Sequence, residues 1–305
     1  MRPAPDVTAH IDIEGPLDLI RTTRPVGGKG VLGSVVRDHG SVWRAERTAA
    51  GAATLRLTAV TAGVRADAWG PGAGLAVARA PGFVGALDDP SQLRPRDMVV
   101  SDLTRRFPGH RLTRTATVWE HLPPTILGQK VPTVAAERAW QGILRRFGER
   151  PPWPAPDNLV LAPTPRTWCQ IGYFELHRFG VERKRATIIA RAARRADRLE
   201  EAAGMDPEVA RRRLRTIDGI GPWTAAFVTQ LCHGDPDAVI VGDYNLPHHI
   251  AWVLTGERKA SDERMLELLE PYRGQRARVQ LLIKLFTRRP PRRGPRLTLP
   301  DFAGR

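Results

Sequence analysis

Leu214-Arg215-Thr216-Ile217-Asp218-Gly219-Ile220-Gly221-Pro222-Trp223-Thr224-Ala225-Ala226-Phe227 is the stretch whose reading decides the fold. A helix ends near Arg215, a tight Gly219-Ile220-Gly221 turn follows, and Pro222 takes the first position of a second helix, where its missing N–H costs nothing. This is a helix-hairpin-helix. Two glycines let such a turn press backbone N–H groups against a phosphate at a helix N-terminus, where orphan donors and the dipole both favour an anion. A contact of that kind holds a nucleic acid strand without reading its sequence, and it makes Gly219, Ile220, Gly221 and Thr224 candidate DNA contacts. The same Gly-x-Gly also suits an ordinary corner between two helices, so the turn alone leaves both readings open.

Charge breaks the tie. The chain has 305 residues, with 47 Lys and Arg against 32 Asp and Glu, for a net charge of +15. A surface this basic favours a polyanionic partner, although charge alone does not separate DNA from RNA or anionic lipid. The length predicts about two domains. With only Cys169 and Cys232, a disulfide framework, a cysteine-rich zinc site and a four-cysteine iron–sulfur loop are excluded. No apolar run is long enough to span a bilayer, and Met1-Arg2-Pro3-Ala4-Pro5-Asp6 lacks the apolar core of a secretion signal. A soluble, cytoplasmic protein with no membrane partner is expected.

Outward from the hairpin, the period of the apolar residues changes along the chain. His10-Ile11-Asp12-Ile13-Glu14 and Thr54-Leu55-Arg56-Leu57-Thr58-Ala59-Val60 alternate at period two between Gly and Pro turns, and 1–115 reads as a small sheet-containing domain. From 116 to 287 the period is helical, with helices predicted over 125–147, 181–203, 207–214, 222–232, 246–254, 262–269 and 275–287. Residues 288–305 read as a basic, proline-rich tail. The fold class predicted is α+β: a small N-terminal sheet domain, then an all-helical domain built on the hairpin. Gly28-Lys29-Gly30-Val31-Leu32-Gly33 fits a dinucleotide-binding pattern, but it follows Arg24-Pro25 rather than a strand and precedes no helix. His248-His249 is no metal pair, since helix neighbours point about 100° apart, and no metal site is expected.

Downstream, Asp235-Pro236-Asp237-Ala238-Val239-Ile240-Val241-Gly242-Asp243-Tyr244-Asn245-Leu246-Pro247 sets one acid between an apolar run and a helix. Asp243 reads as a cap for that helix. A functional reading is compatible, because helix N–H groups favour the charged form of a carboxylate they bond. A charged acid there stabilises a cation; it donates no proton.

The hairpin and trailing aspartate together resemble the helix-hairpin-helix DNA glycosylases, and within them the DNA-3-methyladenine (alkylpurine) glycosylases, over most of 116–287. The resemblance implies that Asp243 is the catalytic carboxylate. It implies a monofunctional enzyme, since Trp223 stands where the glycosylase/lyase branch has its Schiff-base lysine. Ile126-Leu127-Gly128-Gln129 is similar to a family segment in which the Leu wedges into the base stack and the Gln lies near the active site, roles that pass to Leu127 and Gln129. A core leucine is the competing reading of Leu127. Phe227 falls where relatives line the base pocket, a place that also suits the core. Tyr272 stands in a segment that supplies another pocket aromatic, where Gln275 competes for the match and no Trp is present.

The base pocket is thus expected to comprise Gln129, Trp223, Phe227 and Tyr272. The activity implied is hydrolytic release of flipped alkylated purines, such as 3-methyladenine and 7-methylguanine, from duplex DNA. The expected partner is double-stranded DNA with damaged bases, bound by a monomer, with no cofactor beyond a monovalent cation at the hairpin. Two alternatives stay open: a non-catalytic helix-hairpin-helix DNA-binding protein, and a glycosylase/lyase for oxidised bases using an amine such as Lys130.

Overall fold

The computed structural model describes residues 3–27 and 31–291. Gly28, Lys29 and Gly30 of the glycine-rich pattern, and 292–305 of the basic tail, lie outside the described residues. The class is α+β. Five strands, β1 (Val7–Asp12), β2 (Val35–Asp38), β3 (Ser41–Thr48), β4 (Gly51–Val60) and β5 (Gly63–Trp69), form one antiparallel sheet in the order β1-β5-β4-β3-β2. The β2–β3 hairpin turns at His39 and Gly40, both at positive φ, the conformation that two-residue hairpin loops require. Of these strands, β3 carries no alternating pattern because both its faces are covered. On one side the sheet packs against the helix Ala73–Phe83; on the other, Trp43 and Ala45 meet Leu159 and Leu161.

The helix Pro222–His233 organises the rest. Ala225, Val228 and Cys232 belong to one apolar cluster, Leu231 to the cluster beneath the sheet, and Ala226 to a third made with Ile240, Ile250 and Leu282. A helix apolar around most of its girth is a buried one, and this one sits where three cores meet. The helix Met98–Arg106 joins the third cluster through Val100 and Leu103. Sheet and helices are also tied by a buried ion pair, Arg44 Nη2 to Glu120 Oε2 at 2.8 Å, with the Arg44 guanidinium 4.5 Å from the Phe83 ring centre.

Two long helices of the sequence reading are broken. Residues 125–147 form Leu122–Leu127 and Thr133–Phe147. Gly128 closes the first by donating to Pro124 and Thr125 carbonyls, Lys130 adopts φ 56°, and Pro132 precedes the second. Likewise, 181–203 divides into Arg183–Ala193, Ala196–Glu200 and a 3-10 turn. Among the described residues no helix is long and apolar enough to cross a membrane.

Candidate active site

The hairpin forms where the sequence places it. Helix Pro207–Leu214 ends, Gly219 turns the chain at φ 95°, and Gly221 is the N-cap of Pro222–His233 with no side-chain capping bond. The two glycines are not equivalent. A Cβ on Gly219 would lie 2.4 Å from Ile188 Cδ1, whereas one on Gly221 would meet nothing within 4 Å. Gly219 is therefore required by the fold, and Gly221 keeps the helix N-terminus open to an anion.

The side chains of two expected DNA contacts turn inward. Ile220 is 4 % exposed and packs in the core, and Thr224 is 1 % exposed. Gln129, expected in the base pocket, braces this turn. Its amide donates to Gly219 O at 3.0 Å and to Thr224 Oγ1 at 2.8 Å, which uses both of its N–H groups. Leu127 is wholly buried in the first cluster, and its carbonyl accepts from Arg185 Nη1 at 2.8 Å. A side chain with no exposed surface is not placed to enter a base stack, so the core reading of Leu127 holds and the wedge reading is corrected. Tyr272 is also interior. Its hydroxyl donates to Asp97 and accepts from the Arg96 N–H, bracing the start of Met98–Arg106 rather than lining a pocket, and burial together with Asp97 pushes it up to about 12.

Asp243 lies half-buried in a loop that Gly242 enters at φ 80°, its N–H bonded to Asp262 Oδ2 at 2.7 Å. The helix Leu246–Thr255 has Asn245, not Asp243, as its N-cap. Asp243 acts from two residues upstream: Oδ1 accepts the N–H groups of Asn245 and Leu246, both at 2.9 Å. Oδ2 accepts the Trp223 indole N–H at 3.3 Å. Of the roughly four lone-pair positions of a carboxylate, one on Oδ2 is left. No Lys or Arg among the described residues forms an ion pair with Asp243. The result is a fixed carboxylate oxygen with no ion-pair partner among the described residues.

Trp223 is the link between the parts. Its ring edge abuts Gly128, where an added Cβ would sit 3.6 Å from Cη2, and its ring lies 5.8 Å and 31° from that of Phe227. Trp223, Phe227 and Asp243 are thus brought together. Lys284, which sequence reasoning missed, places Nζ 5.1 Å from the Phe227 ring centre, so one cation already uses that ring. Tyr244, also missed, is 85 % exposed beside Asp243; its only sequence signal is an aromatic next to the acid. His248 and His249 do not act together: His248 Nδ1 accepts the Ala260 N–H, and His249 Nε2 pairs with Thr287 Oγ1. For a cation at the hairpin, the carbonyls of Ile217, Gly219 and Gly221 already accept Ile220 N–H, Gln129 and Ala225 N–H. A carbonyl oxygen has two lone pairs, so each of the three keeps one acceptor position.

A hairpin with an open helix N-terminus, followed by a fixed aspartate bonded to an aromatic of the hairpin's second helix, invites comparison with known structures. Over 91 % of this chain and 97 % of the other, the backbone superposes on a 3-methyladenine DNA glycosylase from Archaeoglobus fulgidus with a TM-score of 0.78 at 20 % identity. The fold is that of the helix-hairpin-helix DNA glycosylases. A Clostridium acetobutylicum 8-oxoguanine glycosylase/lyase, solved with double-stranded DNA, shares the glycosylase fold at a TM-score of 0.66 and 12 % identity, over 92 % of this chain and 97 % of that one. In sequence, the chain is 26 % identical to a Bacillus subtilis DNA-3-methyladenine glycosylase over 186 residues, 60 % of this chain and 61 % of the relative. It is 32 % identical over 144 residues to a Mycobacterium tuberculosis protein named a probable bifunctional transcriptional activator/DNA repair enzyme AlkA, across 46 % of this chain and 28 % of that protein. The chain therefore spans less than two thirds of these curated relatives. No family model matches it.

Proposed function

We propose that this glycosylase-fold chain is a monofunctional DNA glycosylase that binds duplex DNA as a monomer in the cytoplasm, flips an alkylated purine beside Asp243 and hydrolyses its N-glycosidic bond. The observation that carries the reading is the Asp243 carboxylate, held by two backbone N–H groups and the Trp223 indole with one lone-pair position left over. Breaking the bond to an alkylated, already cationic base develops positive charge on the sugar, and the base leaves without an acid. A preorganised anion in a sheltered site stabilises that charge at no reorganisation cost, an effect of about 3–4 kcal/mol for one such group. Trp223 adds a π face for a cationic base, on the order of 1–2 kcal/mol where desolvated. The Phe227 face is less suited, since the Lys284 ammonium is already over it.

Relatives named for 3-methyladenine support the alkylpurine substrate. Trp223 in the place of the lyase lysine supports hydrolysis without strand cleavage. Mass spectrometry of bases released from methylated duplex DNA tests the reading: 3-methyladenine and 7-methylguanine are expected, with an abasic strand that breaks only in alkali. Tight DNA binding without base release would leave a non-catalytic hairpin protein. A borohydride-trapped adduct would establish a lyase and bring Lys130 and Lys284 forward as nucleophiles.

A further inference from the structure

On the flank of the hairpin, away from Asp243 in sequence and in contacts, the surface is hollowed. A concavity of about 480 Å³ is lined by Arg195, Arg198, Leu199, Arg213, Thr216 and Ile217. A second of about 270 Å³ adjoins it, sharing Arg195, Thr216 and Ile217 and adding Arg191, Arg194 and Asp218. Together they make a trough that ends on Asp218, the residue before the Gly219 turn. Five arginines face it against one acid. Arg191 reaches Asp218 at 3.7 Å and Arg213 reaches Glu201 at 3.4 Å. Arg194, Arg195 and Arg198 are exposed and form no ion pair among the described residues.

This convergence is unlike a solvated helix face. Arg191 and Arg194 stand at the end of the helix Arg183–Ala193, and Arg195 and Arg198 at the start of Ala196–Glu200, so the junction of the two helices gathers all four at the trough. On a convex surface such charges splay into water. Here they line a hollow whose floor is apolar Leu199 and Ile217, where field lines concentrate and a polyanion gains most. The planar guanidinium forks match phosphate oxygens, and no aromatic side chain lines the trough to stack on a base.

We propose that this arginine trough is a second, sequence-independent binding site for the DNA sugar-phosphate backbone, extending the footprint beyond the hairpin turn. It rests on the DNA-binding half of the proposed function and not on its chemistry. A full-length wild-type chain that binds undamaged duplex but releases no base would overturn the glycosylase reading and leave this one standing.

The test compares the wild-type chain with a triple variant, Arg194→Gln, Arg195→Gln and Arg198→Gln, and with the matching triple Lys variant. Affinity for a long undamaged duplex is measured across a salt series. Each phosphate contact contributes about 0.9 to the slope of log affinity against log salt, so the Gln variant is expected to lose about 2 to 3 from that slope while the Lys variant keeps it. Single-turnover base release at saturating enzyme is expected to be unchanged, because the trough touches neither Asp243 nor Trp223. Equal slopes for Gln variant and wild type, with both folded by circular dichroism, would overturn the proposal. So would a Gln variant that loses only inorganic pyrophosphate binding, or only duplex RNA binding, and retains the DNA slope.

Discussion

Gly219 and Gly221 look interchangeable in the sequence, and the structure gives their substitutions opposite signs. Gly219→Ala places a Cβ 2.4 Å from Ile188 Cδ1 in a residue at φ 95°. The left-handed backbone costs about 1–2 kcal/mol, and the overpacking of Ile188 about 1–3 kcal/mol more. The expected loss is about 2–5 kcal/mol of folding stability, seen as a melting temperature lower by several degrees. Gly221→Asp sits at φ −89°, ψ −177° with open space around its Cβ. Aspartate is a better N-cap than glycine by a few tenths of a kcal/mol and gains from the helix dipole, so stability is expected to hold or rise by up to about 1 kcal/mol. The same carboxylate takes the first-turn N–H groups and repels a phosphate. Losing charge-assisted hydrogen bonds worth about 1.5–3 kcal/mol weakens duplex binding roughly ten- to a hundredfold. Thermal melts and fluorescence anisotropy with undamaged duplex, at one fixed salt concentration, read the two effects apart. Wild-type duplex affinity in Gly221→Asp would refute the phosphate role of the hairpin, and wild-type stability in Gly219→Ala would refute the steric argument.

Three further outcomes follow from particular contacts. Leu127→Ala, at a site with no exposed surface, should destabilise the fold by about 2–5 kcal/mol while base release per folded molecule stays within a few-fold; normal stability with lost base release would restore the wedge reading. Lys284→Met removes the ammonium over Phe227 and should raise release of cationic 7-methylguanine relative to neutral hypoxanthine by a few-fold to tenfold, the scale of a cation–π contact; an unchanged ratio would remove Lys284 from the base site. Burial pulls His110 and His121 down to about 4, so between about pH 6.5 and 4 the unfolded chain takes up protons that the folded chain refuses. Their contribution is fully present above about pH 6.5 and lost as pH falls through that window, opposed by Glu46 and Glu200, which burial pushes up; urea melts of His110→Phe and His121→Phe should show a shallower acid loss than wild type.

The hairpin was legible because its signal is local: Gly-x-Gly followed by Pro at the first helical position is backbone chemistry written in adjacent residues. Helices Pro207–Leu214 and Asp262–Leu269 match the predicted bounds for the same reason, with Asp206 and Ser261 as side-chain caps. Strand β3 was not legible, since burial on both faces erases alternation. Nor was the helix Ala73–Phe83, which is rich in Ala and Gly and carries Pro81. The sequence marks both Asp243 and Trp223, but their hydrogen bond joins residues twenty apart, and spacing alone does not show it. Lys284 over Phe227 and Tyr272 against Asp97 are contacts between distant segments. Helical periodicity marks such residues as inward-facing without saying which neighbour they meet, and so the contacts of Gln129, Leu127 and Tyr272 are not legible from spacing.

The central claim, that a fixed carboxylate stabilises charge on the departing sugar, is tested most directly by single-turnover base release from methylated duplex with Asp243→Asn. The substitution keeps an oxygen for the Asn245 and Leu246 N–H groups and turns an amide toward the Trp223 indole, so the loop survives with one bond lost. Base release is expected to fall at least about 100-fold, with duplex affinity and circular dichroism unchanged. Release within a few-fold of wild type would contradict the account and reduce Asp243 to a bracket for the helix that follows it.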